Sequence, residues 1–341
     1  MTRSLAAIAP RDRAEAIRRR LRAEGLLRID LGVLHDGEVV AFPILAPLPA
    51  PSDDLRTEFR DFPPRAASSA RSYRERVHLP EKFRPLLPRA FDVVGEIVLI
   101  RLPDEIVPFR SEVGRALLET VPGARLVGWD HGVHGLERRR TLERIAGDGT
   151  WRTVHRENGL AFEVDVEAAY FSPRLAREHA HVADQVGPRE RVFDLCCGVG
   201  PFALTIASRR RGREIVAVDV NPRAIELVRG NLARLGLEGR VRPVEADIAR
   251  FLPSAGRADR IIFNLPHEGI KYLPLGLAAV EPGGVLHYYE VTERMTQPHR
   301  ARELVAMTNP RDGWTAGPAH VVHPYSPRSD LLAYTLRRAA P

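Results

Sequence analysis

From residue 170 onward, short apolar segments alternate with amphipathic ones, and this alternation constrains the fold more than any other feature of the sequence. Repeated strand–helix–strand units form parallel sheets, because each crossover helix returns the chain to the same end of the sheet. The sequence therefore predicts an α/β fold with a doubly wound sheet. The predicted strands are 191–195, 214–219, 240–244, 259–263 and 284–290, and the predicted helices are 200–209, 222–234 and 271–280.

The sequence before residue 160 lacks this alternation and predicts smaller α+β structures. Residues 11–24 have the apolar spacing of a helix. Asp36-Gly37 joins the apolar runs 27–34 and 38–44, as is typical of a hairpin. Residues 91–100 predict one buried strand, and Asn158-Gly159 predicts a second hairpin.

The distribution of Pro, Ala and Ser predicts the domain boundaries. These residues are frequent at 46–54 and 62–71, which indicates loops or a linker. The predicted parts are a small N-terminal α+β domain at 1–65, a linker at 66–80, a middle α+β domain at 81–160 and the α/β domain at 161–341.

Composition excludes several classes of protein. The chain is 44% hydrophobic and 28% charged, which excludes a largely disordered protein. No apolar stretch approaches the length of a transmembrane helix. The two cysteines, Cys196 and Cys197, are adjacent and cannot form a disulfide that links distant parts of the chain. We therefore expect a cytoplasmic location.

The positive charge of the chain predicts attraction to phosphates. Lys and Arg number 51 against 44 acidic residues, giving a net charge of +7. Lys82 and Lys271 are the only lysines, so nearly all of the basic residues are arginine, which binds phosphate in a bidentate manner. A genome rich in GC would also favour arginine, so this feature alone is a weak indication of nucleic-acid binding.

A glycine-rich turn between a predicted strand and a predicted helix is the strongest local motif. The sequence from 192 to 202 reads V-F-D-L-C-C-G-V-G-P-F, so Asp194 lies four residues before Gly198, and Gly200 follows. Glycines allow the backbone to approach a ligand closely, and the start of a helix offers free N–H groups. This spacing fits both dinucleotide sites and S-adenosylmethionine sites.

Acidic residues at three strand ends favour S-adenosylmethionine over a dinucleotide. Asp194 is the first, Asp219 follows the second strand, where a carboxylate can bind ribose hydroxyls, and Asp247 follows the third, near a position for adenine. In a dinucleotide site, the glycine turn contacts a pyrophosphate, and no acidic residue lies as near the turn as Asp194 does here. The ordered set resembles the cofactor site of class I methyltransferases with a Rossmann-like fold.

An amide at the end of the fourth strand completes the predicted crevice. Asn264-Leu265-Pro266 follows 259–263, and an Asn side chain both donates and accepts hydrogen bonds, which suits a nucleobase edge. Enzymes that methylate exocyclic amines often have N-P-P-[FY] here. The N-L-P sequence therefore makes an exocyclic amine a less suitable target.

Several motifs together resemble those of the archaeal and eukaryotic tRNA (guanine-37-N1)-methyltransferase family. They are F-S-P-R-L at 171–175, the glycine turn, N-L-P at 264–266 and G-G-V-L-H-Y-Y at 283–289, with F-D-V-V-G-E-I at 91–97 and H-R-E-N-G at 155–159 upstream. The resemblance covers about residues 25–340. It implies a small domain that docks on the tRNA body, a middle domain near the anticodon stem-loop and a catalytic domain.

The resemblance also implies the reaction and the residues that carry it. A methyl group moves from S-adenosyl-L-methionine to N1 of guanine at tRNA position 37, without a metal and by a monomeric enzyme. Glu178 is implied as the general base, Arg138 as the group that stabilises charge at O6, with Arg140 as a competitor, and Asn264 as the group that orients the guanine. The implied cofactor-binding residues are Arg174, Asp194, Gly198, Gly200, Asp219, Asp247 and Asn264.

Three alternatives remain open at this point. A sister family transfers the aminocarboxypropyl group of the same cofactor to a wyosine precursor at the same tRNA position, but lacks N-L-P and F-S-P-R-L. A tRNA-binding protein without activity could keep the cofactor fold. Finally, Arg174 and Glu178 lie four residues apart on one predicted helix and could form only a surface ion pair.

Overall fold

A computed structural model of the chain describes residues 1–28, 30–48, 55–63, 72–135, 137–326 and 328–340. The chain divides into two units, Met1–Arg76 and Val77–Pro341. Because the predicted middle and catalytic domains both lie within the second unit, their separation stays a prediction. Part of the predicted linker lies outside the described residues.

The first unit is a four-stranded antiparallel sheet with one helix. Its elements are β1 (Thr2–Pro10), α1 (Ala14–Ala23), β2 (Leu34–Asp36), β3 (Val39–Ile44) and β4 (Arg56–Phe62), in the sheet order β2-β3-β1-β4. The hairpin prediction was partly wrong: its first strand is only β2, and Leu27 forms an isolated bridge to Ile44. The sequence analysis missed β1 and β4, since β1 is rich in alanine and β4 is mostly charged and exposed.

The second unit begins with a mixed sheet of order β5-β6-β7-β8 and a separate hairpin. The expected single strand at 91–100 is wrong, because Gly95, with φ +54°, turns the chain between β5 and β6. A Cβ at Gly95 would lie 2.3 Å from Oγ1 of Thr153, so no side chain fits there. The elements are β5 (Asp92–Val94), β6 (Ile97–Ile100), α2 (Arg110–Thr120), β7 (Leu126–His134), β8 (Arg139–Gly147), β9 (Arg152–Glu157) and β10 (Leu160–Asp165).

The rest of the second unit confirms the predicted doubly wound sheet. Its helices are α3 (Ala176–Gln185), α4 (Pro201–Ser208), α5 (Pro222–Leu235), α6 (Ile248–Ala255), α7 (Leu273–Ala278) and α8 (Gln297–Ala306). Its strands are β11 (Arg191–Leu195), β12 (Glu214–Asp219), β13 (Val241–Glu245), β14 (Ala258–Phe263), β15 (Val280–Glu293), β16 (Thr315–Ala316), β17 (His320–Pro324) and β18 (Ser329–Arg337).

The strand order of this sheet positions the candidate site. The order is β13-β12-β11-β14-β15-β18-β16, with β17 also paired to β18. The five strands from β13 to β15 in this order are parallel to one another, whereas β18 is antiparallel to β15. The chain leaves β11 toward β12 on one side and later returns to β14 on the other. A crevice therefore opens at the carboxyl ends of β11 and β14, where α/β proteins bind ligands.

Alternating side chains of the central strands pack on both faces of the sheet. Phe193 and Val216 join one apolar cluster, and Val192 and Ile215 join the other. Because both faces of the sheet are covered, these strands carry apolar side chains on both faces.

Candidate cofactor and substrate site

The crevice holds a cavity of about 460 Å³, which we call the main cavity. This volume lies in the range of small-molecule sites. The residues that line it include Arg138, Tyr170, Ser172, His179, Gly198, Asp219, Asp247, Asn264 and His267. The structure thus brings together five of the predicted site residues, namely Arg138, Gly198, Asp219, Asp247 and Asn264.

The glycine turn forms one wall of the main cavity. Gly198 has φ +55°, and a Cβ at this position would lie 2.8 Å from the carbonyl oxygen of Tyr170. Gly200, with φ +80°, precedes α4 but does not itself line the cavity. The turn therefore requires glycine at 198 both for its backbone conformation and for its close approach to Tyr170.

Asp219 connects the turn to the end of β12. Its carboxylate accepts hydrogen bonds from the backbone N–H groups of Gly198, at 2.8 Å, and Asn221, at 2.9 Å. Burial raises the pKa of Asp219, although these bonds partly offset the effect. Asp247 lines the same cavity and accepts a hydrogen bond from the N–H of Ala249 at the start of α6.

Asp194 lies beneath the cavity surface rather than on it. Its Oδ2 accepts a hydrogen bond from the N–H of Ala203 at 3.1 Å, so it braces α4. Its Oδ1 has no hydrogen-bond partner among the described residues. Complete burial raises the pKa of Asp194 to about 7. A direct cofactor contact by Asp194 stays a prediction.

A second cavity of about 520 Å³ adjoins the first; we call it the arginine cavity. Its charged lining residues include Arg101, Arg138, Arg140, Arg174, Asp92 and Asp130, and it shares Arg138, Tyr170 and His267 with the main cavity. Arg174 thus lies in the arginine cavity, where it donates a 2.7 Å hydrogen bond to Asp92.

Arg138 and Arg140 have different environments, which separates the two candidates. Both guanidinium groups lie over the ring of Tyr170, at 5.0 and 5.3 Å from its centroid. Arg140 is buried and donates hydrogen bonds to Asp130 and to the carbonyl oxygen of Phe171. Arg138 is half-buried and lines both cavities, so it is better placed than Arg140 to meet a ligand.

Glu178 is buried on α3 but is not among the residues that line the main cavity. Its carboxylate accepts hydrogen bonds from the Tyr289 hydroxyl and from the His320 ring, both at 2.8 Å. Burial alone would raise the pKa of Glu178, but these hydrogen bonds lower it below its usual value. The alternative of a surface ion pair with Arg174 is wrong, since Arg174 pairs with Asp92.

The sequence analysis missed a buried pair, Glu157 and His179. Nδ1 of His179 lies 2.6 Å from Oε1 of Glu157, and the imidazole lines the main cavity with only 1% of its surface exposed. Its Nε2 has no hydrogen-bond partner in the described part of the chain. The sequence signal was weak: His179 directly follows Glu178, and Glu157 lies in a separate hairpin.

These residues fit S-adenosylmethionine. Gly198 lines the main cavity with backbone alone, and Asp219 and Asp247 line it with carboxylates, which accept hydrogen bonds from hydroxyl and amino groups. His179 also lines this cavity, and its Nε2 is buried without a hydrogen-bond partner among the described residues. Among the described elements, no helix is both long and apolar enough to cross a membrane.

Comparisons with known proteins identify the family of the chain. Residues 153–312 match the TRM5/TYW2 methyltransferase domain, and residues 74–150 match the TYW2 N-terminal domain. The chain is 34% identical to tRNA (guanine(37)-N(1))-methyltransferase Trm5b of Pyrococcus abyssi over 84% of each protein. A crystal structure of wild-type Trm5b from that organism matches 98% of this chain and 99% of its own, with a TM-score of 0.73 and 30% identity.

Two further matches concern the substrate. A structure of the complex of aTrm5 and tRNALeu covers 98% of this chain and 99% of its own, with a TM-score of 0.69 and 28% identity. The tRNA(Phe) (4-demethylwyosine(37)-C(7)) aminocarboxypropyltransferase of Pyrococcus horikoshii is 27% identical over 66% of this chain and 80% of its own length.

The fold and the site define a class I S-adenosylmethionine-dependent methyltransferase, and the chain is therefore an enzyme. Within this class, it belongs to the tRNA (guanine-37-N1)-methyltransferase family. The resemblance predicted from the sequence is confirmed, as is the α/β fold class.

Proposed function

We propose that the enzyme methylates N1 of guanine at position 37 of tRNA. The main support is the junction of the two cavities, where Arg138 and Tyr170 line both the main cavity and the arginine cavity. A base held at this junction would lie between a cofactor site and a positively charged surface. The names of the relatives with matching sequence and structure support the same reaction.

On the cofactor side, Asp219 would bind the ribose hydroxyls, and Asp247 would lie at the adenine edge. His179 and the backbone of the glycine turn would contact the remaining polar groups of the cofactor. When bound, S-adenosylmethionine supplies a methyl group activated by a sulfonium. These residues hold and orient the cofactor, and none of them needs to change protonation state during transfer.

On the substrate side, the chain must remove one proton and stabilise one developing charge. N1 of guanine carries a proton that must leave when N1 is methylated, and negative charge then develops toward O6. Glu178 accepts this proton, and the Arg138 guanidinium faces O6, where it stabilises the charge. The Asn264 amide orients the guanine through hydrogen bonds to its edge.

Glu178 does not line the main cavity, so the site around it must rearrange in the complex for the guanine to reach its carboxylate. Its carboxylate is held by Tyr289 and His320, whose hydrogen bonds lower its pKa and so favour the ionised form that a base needs. Catalytic hydrogen bonds often form only in the complex with substrate, so the position in the free enzyme is compatible with this role.

The arginine cavity would receive the RNA next to the target base. N1 of guanine is inaccessible in a stacked loop, so the base must leave the stack to reach the methyl donor. Arg101 is largely exposed, and its guanidinium lies 3.5 Å from Asp130, which Arg140 already neutralises. Such arginines are suited to phosphate contacts.

One experiment separates this function from its alternatives. The enzyme is incubated with cofactor labelled either in the methyl group or in the aminocarboxypropyl group, and with unmodified tRNA that carries guanine or adenine at position 37. We expect methyl label in 1-methylguanosine from the guanine tRNA alone. Transfer of the aminocarboxypropyl label would indicate the sister activity, and binding of tRNA without transfer would indicate a non-catalytic protein; either result contradicts the proposal.

A further inference from the structure

Tyr289 and His320 lie in one row across three strands of the sheet. Ala333 on β18 pairs with Tyr289 on β15 and with His320 on β17. Residues that pair directly across neighbouring strands point to the same face of a sheet. The two polar side chains therefore project from the same face, on either side of Ala333.

The Glu178 carboxylate bridges the two ends of this row. Oε1 accepts the hydrogen bond from Tyr289, and Oε2 pairs with Nε2 of His320, each at 2.8 Å. Ala333 is buried between the two donors, and its side chain is a single methyl group. The space above it is therefore available to the Glu178 carboxylate. Each carboxylate oxygen thus has its own donor, and the donors come from two different strands.

The two donors differ in their ability to change charge. Tyr289 is fully buried, and its burial raises the pKa of its phenol far above the usual value, so it remains a neutral donor. His320 has 42% of its side chain exposed, and its hydrogen bond to Glu178 raises the pKa of the imidazole. Titratable groups near this pair include His181 on α3, whose ring centroid lies 5.5 Å from that of His320, and His287 on β15, which interacts electrostatically with both histidines.

We propose that His320 is a positioning residue for this enzyme: together with Tyr289, it holds the Glu178 carboxylate in the deprotonated form that accepts the N1 proton. The inference rests on the proposed function, in which Glu178 is the base. A protonated His320 favours the ionised carboxylate through both charge and hydrogen bonding. Without His320, Glu178 remains buried with one donor, so its protonated form becomes more stable.

The test is the pH dependence of single-turnover methylation at saturating tRNA and cofactor. We expect the acid limb of the pH–rate profile to lie about one pH unit higher in His320→Ala than in the parent, since a buried carboxylate loses a charged neighbour. His320→Gln keeps a donor without the charge, so its acid limb should move less. Val321→Ala is the matched control, because Val321 is an exposed neighbour on β17, and it should leave the limb unchanged.

A second measurement does not depend on activity. The His320 imidazole is titrated by NMR in the parent and in Glu178→Gln, with His320→Gln used to assign its signal. Loss of the carboxylate should move the titration of His320 toward the ordinary pKa of histidine. This readout remains available if His320→Ala does not fold.

The outcomes distinguish failure of the proposed function from failure of the positioning role of His320. If the parent enzyme forms no 1-methylguanosine at position 37, the proposed function is wrong. If the parent forms this product but the acid limb of the folded His320→Ala enzyme matches that of the parent, the positioning role is wrong. An unchanged His320 titration in Glu178→Gln would likewise overturn it, whatever the product.

Discussion

The backbone N–H of Gly198 donates a 2.8 Å hydrogen bond to the carboxylate of Asp219. This bond joins the turn after β11 to the end of β12 across the top of the parallel sheet. Asp219 therefore has two functions in the site: it fixes the conformation of the glycine turn and presents a carboxylate to the main cavity.

Asp219→Ala should weaken cofactor binding at least tenfold, which corresponds to about 1.4 kcal/mol. The substitution removes the ribose partner and releases Gly198 from its hydrogen bond. Titration calorimetry with S-adenosylmethionine measures the effect. Glu245→Ala is a matched control, because Glu245 pairs with Asp219 in the sheet but does not line the main cavity. An unchanged dissociation constant in a folded Asp219→Ala protein would contradict this assignment.

Arg140→Ala should mainly lower the stability of the enzyme, whereas Arg138→Ala should mainly lower its rate of methylation. Removal of Arg140 leaves Asp130 buried without its closest partner, so we expect a loss of about 3–5 kcal/mol in the free energy of unfolding. Removal of Arg138 loses a contact with Tyr170 worth at most about 1 kcal/mol, but should slow single-turnover methylation by about 10²–10³-fold. Denaturant unfolding and single-turnover rates, measured on both variants, provide the comparison. A folded Arg138→Ala enzyme with the parent rate would exclude Arg138 from charge stabilisation.

The catalytic part of the fold was predictable because its signals are local. Most strands of the parallel sheet contain a short apolar run, and the turn at 196–200 combines glycine with the start of a helix. Strands β7 and β8, which the sequence analysis did not predict, lack such signals. Charged residues interrupt their apolar pattern, and some of these pair with other elements, as Glu143 of β8 does with Arg110 of α2. A strand whose polar residues find partners elsewhere in the chain cannot be read from its own sequence.

The candidate site was predictable to a similar extent. Gly198, Asp219, Asp247 and Asn264 follow strands in the sequence, and parallel strands bring their carboxyl ends to one edge. The pairing of Glu178 with Tyr289 and His320 spans more than a hundred residues and depends on the register of β15, β17 and β18. No local sequence pattern predicts that register. The spacing of four residues therefore suggested Arg174 as the partner of Glu178 instead.

Asp194 should make the enzyme less stable as the pH rises. Its pKa in the folded protein is about 7, well above that of an aspartate in the unfolded chain, because burial disfavours the charge. Between about pH 4 and about pH 7, the folded state therefore holds a proton that the unfolded state releases, and stability falls as the pH rises through this window.

Asp194→Asn removes this titration, so the loss of unfolding free energy from about pH 5 to about pH 8 should be smaller than in the parent. Denaturant unfolding at both pH values measures the difference. Asp104→Asn, at an exposed carboxylate, is the control and should follow the parent. If Asp194→Asn and the parent lose equal stability over this range, Asp194 is ionised in the folded protein throughout.

Glu178→Gln tests the proposed base most directly. Glutamine keeps the size of the side chain and can still bond to Tyr289 and His320, but it cannot accept the N1 proton as a carboxylate does. We expect single-turnover methylation to fall by about 10²–10⁴-fold, the range for a positioned general base. Binding of tRNA and cofactor should change little, since the lost interaction belongs to the transition state. Tyr289→Phe is the matched control: it removes one donor but keeps the carboxylate, so its loss of rate should be far smaller. If Glu178→Gln methylates guanine within a few-fold of the parent rate, the proton must leave through another group, and the buried imidazole of His179 would be the first to examine.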